Sequence, residues 1–208
     1  MRCLWCCNPE GQACHQESML DAVDKSTKTI GTFHTVDELM KSIEQRLQFY
    51  LESKGGITLS GGEPLMQTEF VKHLIGELHS RALSVGVETC GQWNWEAVKS
   101  IVAKLDFVYF DVKSADTHIH KEVTGVGNET ILANLAHVVQ ELGESKVTVS
   151  IPVIPSVNND KEVCMNLIFV SHKPIVHKSN WNGTFFMWSK TMPPPSFPPF
   201  GDRKIHTP

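Results

Sequence analysis

The sequence predicts an α/β fold built on a parallel β-sheet, and three observations point to it. Strand-like and helix-like patterns alternate four times along the chain, with about 25 to 40 residues per unit, the spacing of right-handed βαβ crossovers. Residues 107–110 form a near-continuous apolar run, which suits a strand buried on both faces. The chain has 208 residues, 41% of them hydrophobic and 20% charged, so it can form one domain with a substantial core.

Local patterns define the elements in the first half of the chain. Residues 8–33 are polar and have no sustained period, which predicts a long loop. Thr35 and Glu38 have the spacing of a capping box, so we expect a helix to begin there and to end at the glycines of residues 55–56. Its apolar face comprises Val36, Leu39, Met40, Ile43, Leu47 and Tyr50. A strand over residues 57–60 follows, and then a helix that carries Phe70 or Val71, Leu74, Ile75 and Leu78.

The second half repeats this alternation and then loses it. The predicted elements are strands over residues 85–87, 107–110 and 147–153, and helices that open at Asn94 and Asn128. Gly143 ends the second of these helices as a C′ glycine, and Pro155 closes the last strand. Five prolines follow within residues 193–199, a run that neither a helix nor a central strand tolerates. We therefore expect one α/β domain over residues 1–163 and an irregular or disordered tail over residues 164–208, most clearly from residue 171.

Composition argues against several classes of partner and compartment. The net charge is -4 and no run of Lys or Arg is present, so a nucleic-acid groove is not expected. No segment approaches 18 apolar residues, so we expect no membrane span. The start carries thiols where a signal peptide would carry an apolar run. We therefore predict a cytoplasmic protein whose six cysteines are reduced or metal-bound.

A cluster of thiols opens the chain. Cys3, Cys6 and Cys7 lie within five positions, Pro9 follows them, and Cys14 comes shortly after. Core packing does not explain such a cluster, whereas a metal or iron–sulfur site, or a redox dithiol, does. A thioredoxin-like dithiol needs a preceding strand, and a metal site needs at least one more ligand. A zinc site made of the four thiols is a third alternative.

Polar residues follow each predicted strand, at the edge where ligands bind in parallel sheets. The four groups are Gly61-Gly62-Glu63-Pro64, Glu88-Thr89-Cys90-Gly91, Asp111 with Lys113, and Ser150 with Asn158. The glycines allow a ligand to approach the backbone, Glu63 can accept hydrogen bonds from an ammonium, and Lys113 can reach a carboxylate. This set predicts a pocket for a zwitterionic small molecule. We expect His118 and His120 to be surface residues.

These residues fall into six motifs in unbroken order over residues 1–163. They are RCLWC with NPE within residues 2–10, SGGEP at 60–64, Glu88-Thr89 with Gly91, DVK at 111–113, HK with TGV and Asn128 within 120–128, and IPVIP at 151–155. The pattern resembles the radical S-adenosylmethionine (SAM) enzymes that activate glycyl radical enzymes, the pyruvate formate-lyase activating enzyme group. That resemblance implies a partial (β/α) barrel with a parallel sheet, incomplete at both termini.

The resemblance also implies cofactors, partners and site residues. Cys3 and Cys6 would be the second and third ligands of a [4Fe-4S] cluster. Gly61, Gly62 and Glu63 would hold the methionine end of SAM, Asp111 and Lys113 would complete the pocket, and Glu88, Thr89 and Asp111 would lie at a monovalent-cation site. An electron, supplied by a flavodoxin or a ferredoxin-type donor, would cleave SAM and lead to a glycyl radical on a partner enzyme.

The sequence departs from that family pattern at several positions. The first cysteine of the C-x-x-x-C-x-x-C motif would precede Met1. Three alternatives follow: the sequence is a fragment, Cys7 or Cys14 is a substitute ligand, or the cluster does not form. Cys90 replaces a usual Asn or Ser, and Ser150 stands where many relatives carry Arg. These departures leave a second hypothesis open, a catalytically impaired or cluster-free relative that only binds a partner protein.

Overall fold

Five parallel strands form the central sheet of the computed structural model, which describes residues 1–6, 9–12, 16–20, 25–154 and 175–178. The strands are β1 Glu17–Leu20, β2 Thr27–Ile30, β3 Gly56–Leu59, β4 Ser84–Thr89, β5 Phe107–Asp111, β6 Val147–Val153 and β7 Ile175–Lys178. The helices are α1 Val36–Glu44, α2 Leu47–Glu52, α3 Thr68–Ser80, α4 Trp95–Val102, α5 Thr117–Thr124 and α6 Glu129–Leu142. The sheet has the order β3-β4-β5-β6-β7 with every pair parallel, which confirms the predicted α/β architecture.

The core lies between this sheet and its helices. β4 and β5 contribute Val85, Val87, Val108 and Phe110, each no more than 1% exposed. Apolar residues of α3, α4 and α6 pack in the same cluster, as their helical spacing predicts. No helix within the described ranges is both long and apolar enough to cross a membrane.

Helix termini are stabilised largely by the predicted residues. Thr35 and Glu38 form both hydrogen bonds of the capping box at the start of α1, and the Asn94 side chain accepts from the backbone of Ala97 at the start of α4. The first predicted helix is interrupted, however, because Arg46 has φ −122° and ψ 13° and separates α1 from α2. No Gly or Pro lies at this break, and the predicted apolar face runs through it. Neither turn residues nor hydrophobic period therefore predicted the break.

The predicted loop over residues 8–33 is wrong for part of its length. β1 and β2 form an antiparallel hairpin with Glu17 opposite Ile30 and Leu20 opposite Thr27. The side chains of β2 are mostly exposed, so this strand has no buried face that would produce an alternating hydrophobic pattern. Gln16 donates a hydrogen bond to the Gly31 carbonyl at 2.7 Å and closes its open end.

The prediction of an irregular tail over residues 164–208 is wrong at four positions. β7 lies at Ile175–Lys178 and pairs with β6, with Val176 opposite Ile151. The proline run does not affect this strand, because the run begins only at Pro193. β7 itself carries two β-branched residues, which favour a strand. The remainder of the tail, together with Pro155, lies outside the described residues.

Candidate functional site

The carboxyl ends of β3, β4 and β5 and the adjoining part of β6 carry the predicted polar residues. Leu59 of β3 pairs with Val87 of β4, so the next residues along each strand, Ser60 and Glu88, are adjacent. The Ser60 hydroxyl donates to Glu88 Oε2 at 2.7 Å. Asp111 of β5 pairs in turn with Ser150 of β6. The polar residues that follow the predicted strands therefore lie at one edge of the sheet.

The glycine pair after β3 lies against another glycine that sequence reasoning missed. Gly61 has a φ of +125°, a conformation that L side chains rarely adopt, and a Cβ added there meets no atom within 4 Å. A Cβ on Gly62 would overlap the backbone oxygen of Gly11, in the 3₁₀ turn Pro9–Gln12. This close approach places the segment that follows the thiols directly on the glycine pair.

The Glu63 side chain points inward, toward the end of β4. Its carboxylate accepts from the Thr89 hydroxyl at 2.8 Å and, through Oε2, from the amide and thiol of Cys90 at 2.9 and 3.0 Å. The amide of Leu65 donates to Oε1 at 3.3 Å, so the Glu63 side chain caps the short helical turn Pro64–Met66. These groups supply four hydrogens, and a carboxylate offers about four lone-pair sites. The carboxylate is therefore fully used within the protein.

The Cys90 thiol remains protonated in this arrangement. Burial raises its pKa well above 9.0, and the neighbouring Glu63 carboxylate raises the pKa further by its negative charge and by accepting the thiol hydrogen. A neutral thiol can donate to Glu63, whereas a thiolate would repel it. Cys90 thus acts as a hydrogen-bond donor to Glu63.

Asp111 and Lys113 form an ion pair at the next strand end. Lys113 Nζ donates to Asp111 Oδ2 at 2.6 Å, and the two side chains are 14% and 21% exposed for Lys113 and Asp111. Burial opposes the charge on Lys113, but the Asp111 carboxylate and its hydrogen bond outweigh burial, so the pKa of Lys113 is raised. The residue is a protonated cation at the edge of the sheet, as a carboxylate-binding role requires.

The segment of residues 2–6, which carries Cys3 and Cys6 and is called the thiol loop below, is anchored on the end of α5. Arg2 and Leu4 donate backbone hydrogen bonds to the carbonyls of Thr124 and Val123, both at 2.9 Å, and the Cys6 amide donates to the Cys3 carbonyl at 3.1 Å. Cys3 and Cys6 are both half-buried free thiols.

The electrostatic environment of Cys3 links this loop to the sheet edge. Burial raises the pKa of the Cys3 thiol, and the nearby Lys113 ammonium opposes that rise. Asp111 and Cys6 also act on the same thiol. Cys3 therefore lies within electrostatic reach of the Asp111–Lys113 pair, as expected if thiols and strand ends share one site.

The described residues supply two of the predicted metal ligands. Cys7 and Cys14, the candidate substitutes, lie outside those residues, as does Asn158. Within the described ranges, no group of three or more His, Cys, Asp or Glu residues is arranged to hold a metal ion. The thiol pair Cys3 and Cys6 fits part of a cluster or zinc site, and a third ligand would have to come from elsewhere.

The prediction that both histidines are surface residues is half wrong. His118 is exposed, but His120 is fully buried in α5. His120 Nδ1 lies 2.7 Å from the Val126 carbonyl, so this nitrogen carries the hydrogen. Burial lowers the pKa of His120, which keeps the ring neutral. Its position on the inner face of an amphipathic helix explains the burial, and residue type alone did not reveal it.

Comparison with known proteins identifies relatives over most of this chain. The model of the radical SAM superfamily matches residues 1–168. The isethionate sulfite-lyase activating enzyme of Oleidesulfovibrio alaskensis is 41% identical over 138 residues, which cover 66% of this chain and 45% of the relative. The 4-hydroxyphenylacetate decarboxylase activating enzyme of Clostridioides difficile is 34% identical over 67% of this chain and 44% of its own length. The chain therefore spans less than half the length of these two relatives.

Solved structures agree on the fold. A domain of the pyruvate-formate lyase-activating enzyme from Bacteroides vulgatus has a TM-score of 0.50 and 27% identity, over 56% of this chain and 71% of that domain. Streptococcus suis SuiB bound to precursor peptide SuiA has a TM-score of 0.53 and 13% identity, over 76% of this chain and 34% of SuiB. At that identity, the second comparison bears on the fold alone.

Proposed function

The chain belongs to the radical SAM superfamily, and from that premise we propose that it acts as a glycyl-radical-enzyme activating enzyme. The observation that carries the proposal is the meeting of two features that are distant in sequence. Gly11, just after the thiols, touches Gly62, and Cys3 lies within electrostatic reach of Lys113. Relatives that carry the name of activating enzymes support the same function.

The residues at the sheet edge suit a zwitterionic ligand such as SAM. The protonated Lys113 would bind its carboxylate. The Gly61–Glu63 segment would hold its amino group, and Glu63 would contribute its main chain because its carboxylate is already fully hydrogen-bonded. A monovalent cation would be held beside the ligand by the carboxylates of Glu88 and Asp111, with Thr89 contributing its carbonyl oxygen.

The thiol loop would hold the [4Fe-4S] cluster. Cys3 and Cys6 would ligate it, with the third thiolate supplied by Cys7 or Cys14. When bound, the cluster supplies the electron that cleaves the sulfonium of SAM, and the radical so formed takes hydrogen from a glycine of the partner enzyme. The protein's own contribution is orientation: backbone bonds to α5 hold the loop, and Gly62 admits the close approach of Gly11.

Two protein partners follow from this activity. A glycyl radical enzyme would be the substrate that receives the radical, and a flavodoxin or ferredoxin-type protein would deliver the electron. The names of the relatives specify different enzymes to be activated, an isethionate sulfite-lyase and a 4-hydroxyphenylacetate decarboxylase. The site residues described above would serve the step that such activating enzymes have in common. The choice of partner would therefore be made by other surfaces.

One observation favours a second candidate, a cluster-free relative that only binds a partner protein. Cys3 and Cys6 fit two positions of the C-x-x-x-C-x-x-C motif, and neither Cys7 nor Cys14 completes that motif at the usual spacing. In that case the sheet-edge pocket could still bind SAM, but no reductive cleavage would follow. The two candidates differ in iron content and in product formation.

Anaerobic reconstitution with iron and sulfide separates these candidates. We expect the wild-type protein to bind iron and sulfide, to absorb broadly in the blue region, and to form 5′-deoxyadenosine from SAM after reduction. Cys3→Ala and Cys6→Ala should lose both properties, whereas Cys164→Ala, which removes a thiol far along the chain, should retain them. A colourless wild-type protein that forms no product, or one that binds zinc at the thiols instead, would contradict the proposal.

A further inference from the structure

The hydroxyl of Thr89 has only one possible orientation. Thr89 is 2% exposed, and its Oγ1 accepts hydrogen bonds from Trp93 Nε1 at 2.8 Å and from the Gly91 amide at 3.1 Å. A hydroxyl has two lone pairs and one hydrogen. Both lone pairs are used, so the hydrogen must go to Glu63, whose two carboxylate oxygens lie 2.8 Å away.

Trp93 is itself held firmly in place. It is 6% exposed and packs edge-on against Phe110 at a centroid distance of 6.4 Å. The side-chain amide of Asn134 in α6 donates to the carbonyls of both Gly91 and Trp93 at 2.8 Å. The indole N–H therefore has a fixed direction, and a chain of hydrogen bonds runs from α6 through Trp93 and Thr89 to Glu63.

We propose that Trp93 is a positioning residue for the SAM pocket, because its indole N–H fixes the Thr89 hydroxyl and thereby turns the Glu63 carboxylate inward. Without this N–H, the hydroxyl gains a free lone pair and can rotate, and the carboxylate loses an obligatory donor. Glu63 directly follows Gly61 and Gly62, so its orientation determines how that segment presents its main chain. This inference rests on the proposed function only in naming SAM as the ligand.

Trp93→Phe tests the proposal with little change in ring packing. Trp95→Phe is the matched control, because Trp95 stacks on Trp93 at 6.3 Å and its variant likewise exchanges an indole for a phenyl ring. The first measurement is hydrogen exchange at the Cys90 amide by NMR without SAM, since this amide donates to Glu63. The second is SAM binding by calorimetry with reconstituted protein.

We expect Trp93→Phe to exchange the Cys90 amide about tenfold faster and to bind SAM about tenfold more weakly, because the Thr89 hydroxyl then no longer holds its hydrogen bond to the charged Glu63. Trp95→Phe should change neither quantity. Equal values for the two variants in both measurements would overturn the proposal. If the wild-type protein binds no SAM, the proposed function fails, and the exchange rate alone then decides whether Trp93 orients Glu63.

A second pair of variants covers the case in which Trp93→Phe does not fold. Thr89→Val removes the hydroxyl at nearly constant volume, and Thr89→Ser retains it. Faster exchange of the Cys90 amide in Thr89→Val, with wild-type exchange in Thr89→Ser, would support the hydrogen-bond chain. Equal exchange in the two variants would refute it.

Discussion

At the scale of single residues, the environment of Glu63 determines what its neighbours can do. Its carboxylate takes four hydrogens from protein groups, and one of them is the thiol hydrogen of Cys90. The charge on Glu63 and the protonation of Cys90 are thus coupled. A substitution at either residue therefore tests this coupling.

Glu63→Gln should lower the pKa of the Cys90 thiol. Burial is the largest cause of the raised pKa and persists in the variant, but the negative charge that also raises the pKa is gone. The thiol pKa can be measured by pH titration of the Cys90 carbon shifts in ¹³C-cysteine-labelled protein. Glu88→Gln is the control, because Glu88 binds Ser60 instead. A Cys90 pKa that is unchanged or higher in Glu63→Gln would contradict the coupling.

Cys90 should also make stability fall at alkaline pH. The folded-state pKa is raised above the ordinary 9.0, so the contribution of the neutral thiol is complete below pH 9.0 and decreases as pH rises above it. The slope from one such group is at most about 1.4 kcal/mol per pH unit. Urea unfolding on either side of pH 9.0 measures it, and Cys90→Ser should show a smaller decrease. An equal decrease in both proteins would exclude Cys90 as the cause.

At the scale of elements, the turns after the strands carry the site, and at Gly62 one of these turns meets a turn from the start of the chain. Its neighbour Gly11 belongs to a turn that precedes the first strand, about fifty residues earlier in the chain. The contact leaves no room for a side chain. A substitution at this position therefore tests the docking of the thiol segment on the sheet edge.

Gly62→Ala should reduce stability by about 1–3 kcal/mol, because the added methyl group would push the Gly11 backbone away. It should also weaken SAM binding. Gly76→Ala is the matched control: Gly76 lies within α3, nothing lies within 4 Å of an added Cβ, and alanine should raise stability by about 1 kcal/mol. Urea unfolding compares the two variants. Equal stability changes would show that the Gly11–Gly62 contact is loose.

Element by element, the sequence predicted what depends on local chemistry and burial. The capping box of Thr35 and Glu38, the parallel strands and the polar strand ends follow from hydrophobic period and turn residues. The hairpin of β1 and β2 has mostly exposed side chains in its described part and left no such signal. The contacts of Trp93 and Asn134 depend on how a loop packs against α6, which no local pattern encodes. The buried position of His120 likewise depends on tertiary packing.

At the scale of the whole molecule, the thiol loop and the sheet come together through contacts that are widely separated in sequence. Backbone bonds to α5, the Gly11–Gly62 contact and the interaction of Cys3 with Lys113 act at one edge. A ligand that bridges the loop and the strand ends should therefore stabilise the entire fold. Binding to the folded state alone raises stability by mass action.

SAM should raise the stability of the reconstituted wild-type protein by about 2.7 kcal/mol at a concentration one hundred times its Kd. Lys113→Met should lose most of this effect, since the cation for the ligand carboxylate is gone. Lys99→Met is the control, because Lys99 is an exposed residue of α4 paired with Glu96. Chemical unfolding with and without SAM measures the difference. Equal stabilisation of the two variants would remove Lys113 from the binding site.

The most direct test of the shared site is electron–nuclear double resonance on the reduced, reconstituted protein with SAM labelled with ¹⁵N at its amino group. If the cluster at Cys3 and Cys6 and the cofactor at the strand ends meet as proposed, the cluster signal will show coupling to the ¹⁵N nucleus. A normal cluster signal without that coupling, in protein that binds SAM by calorimetry, would contradict the account.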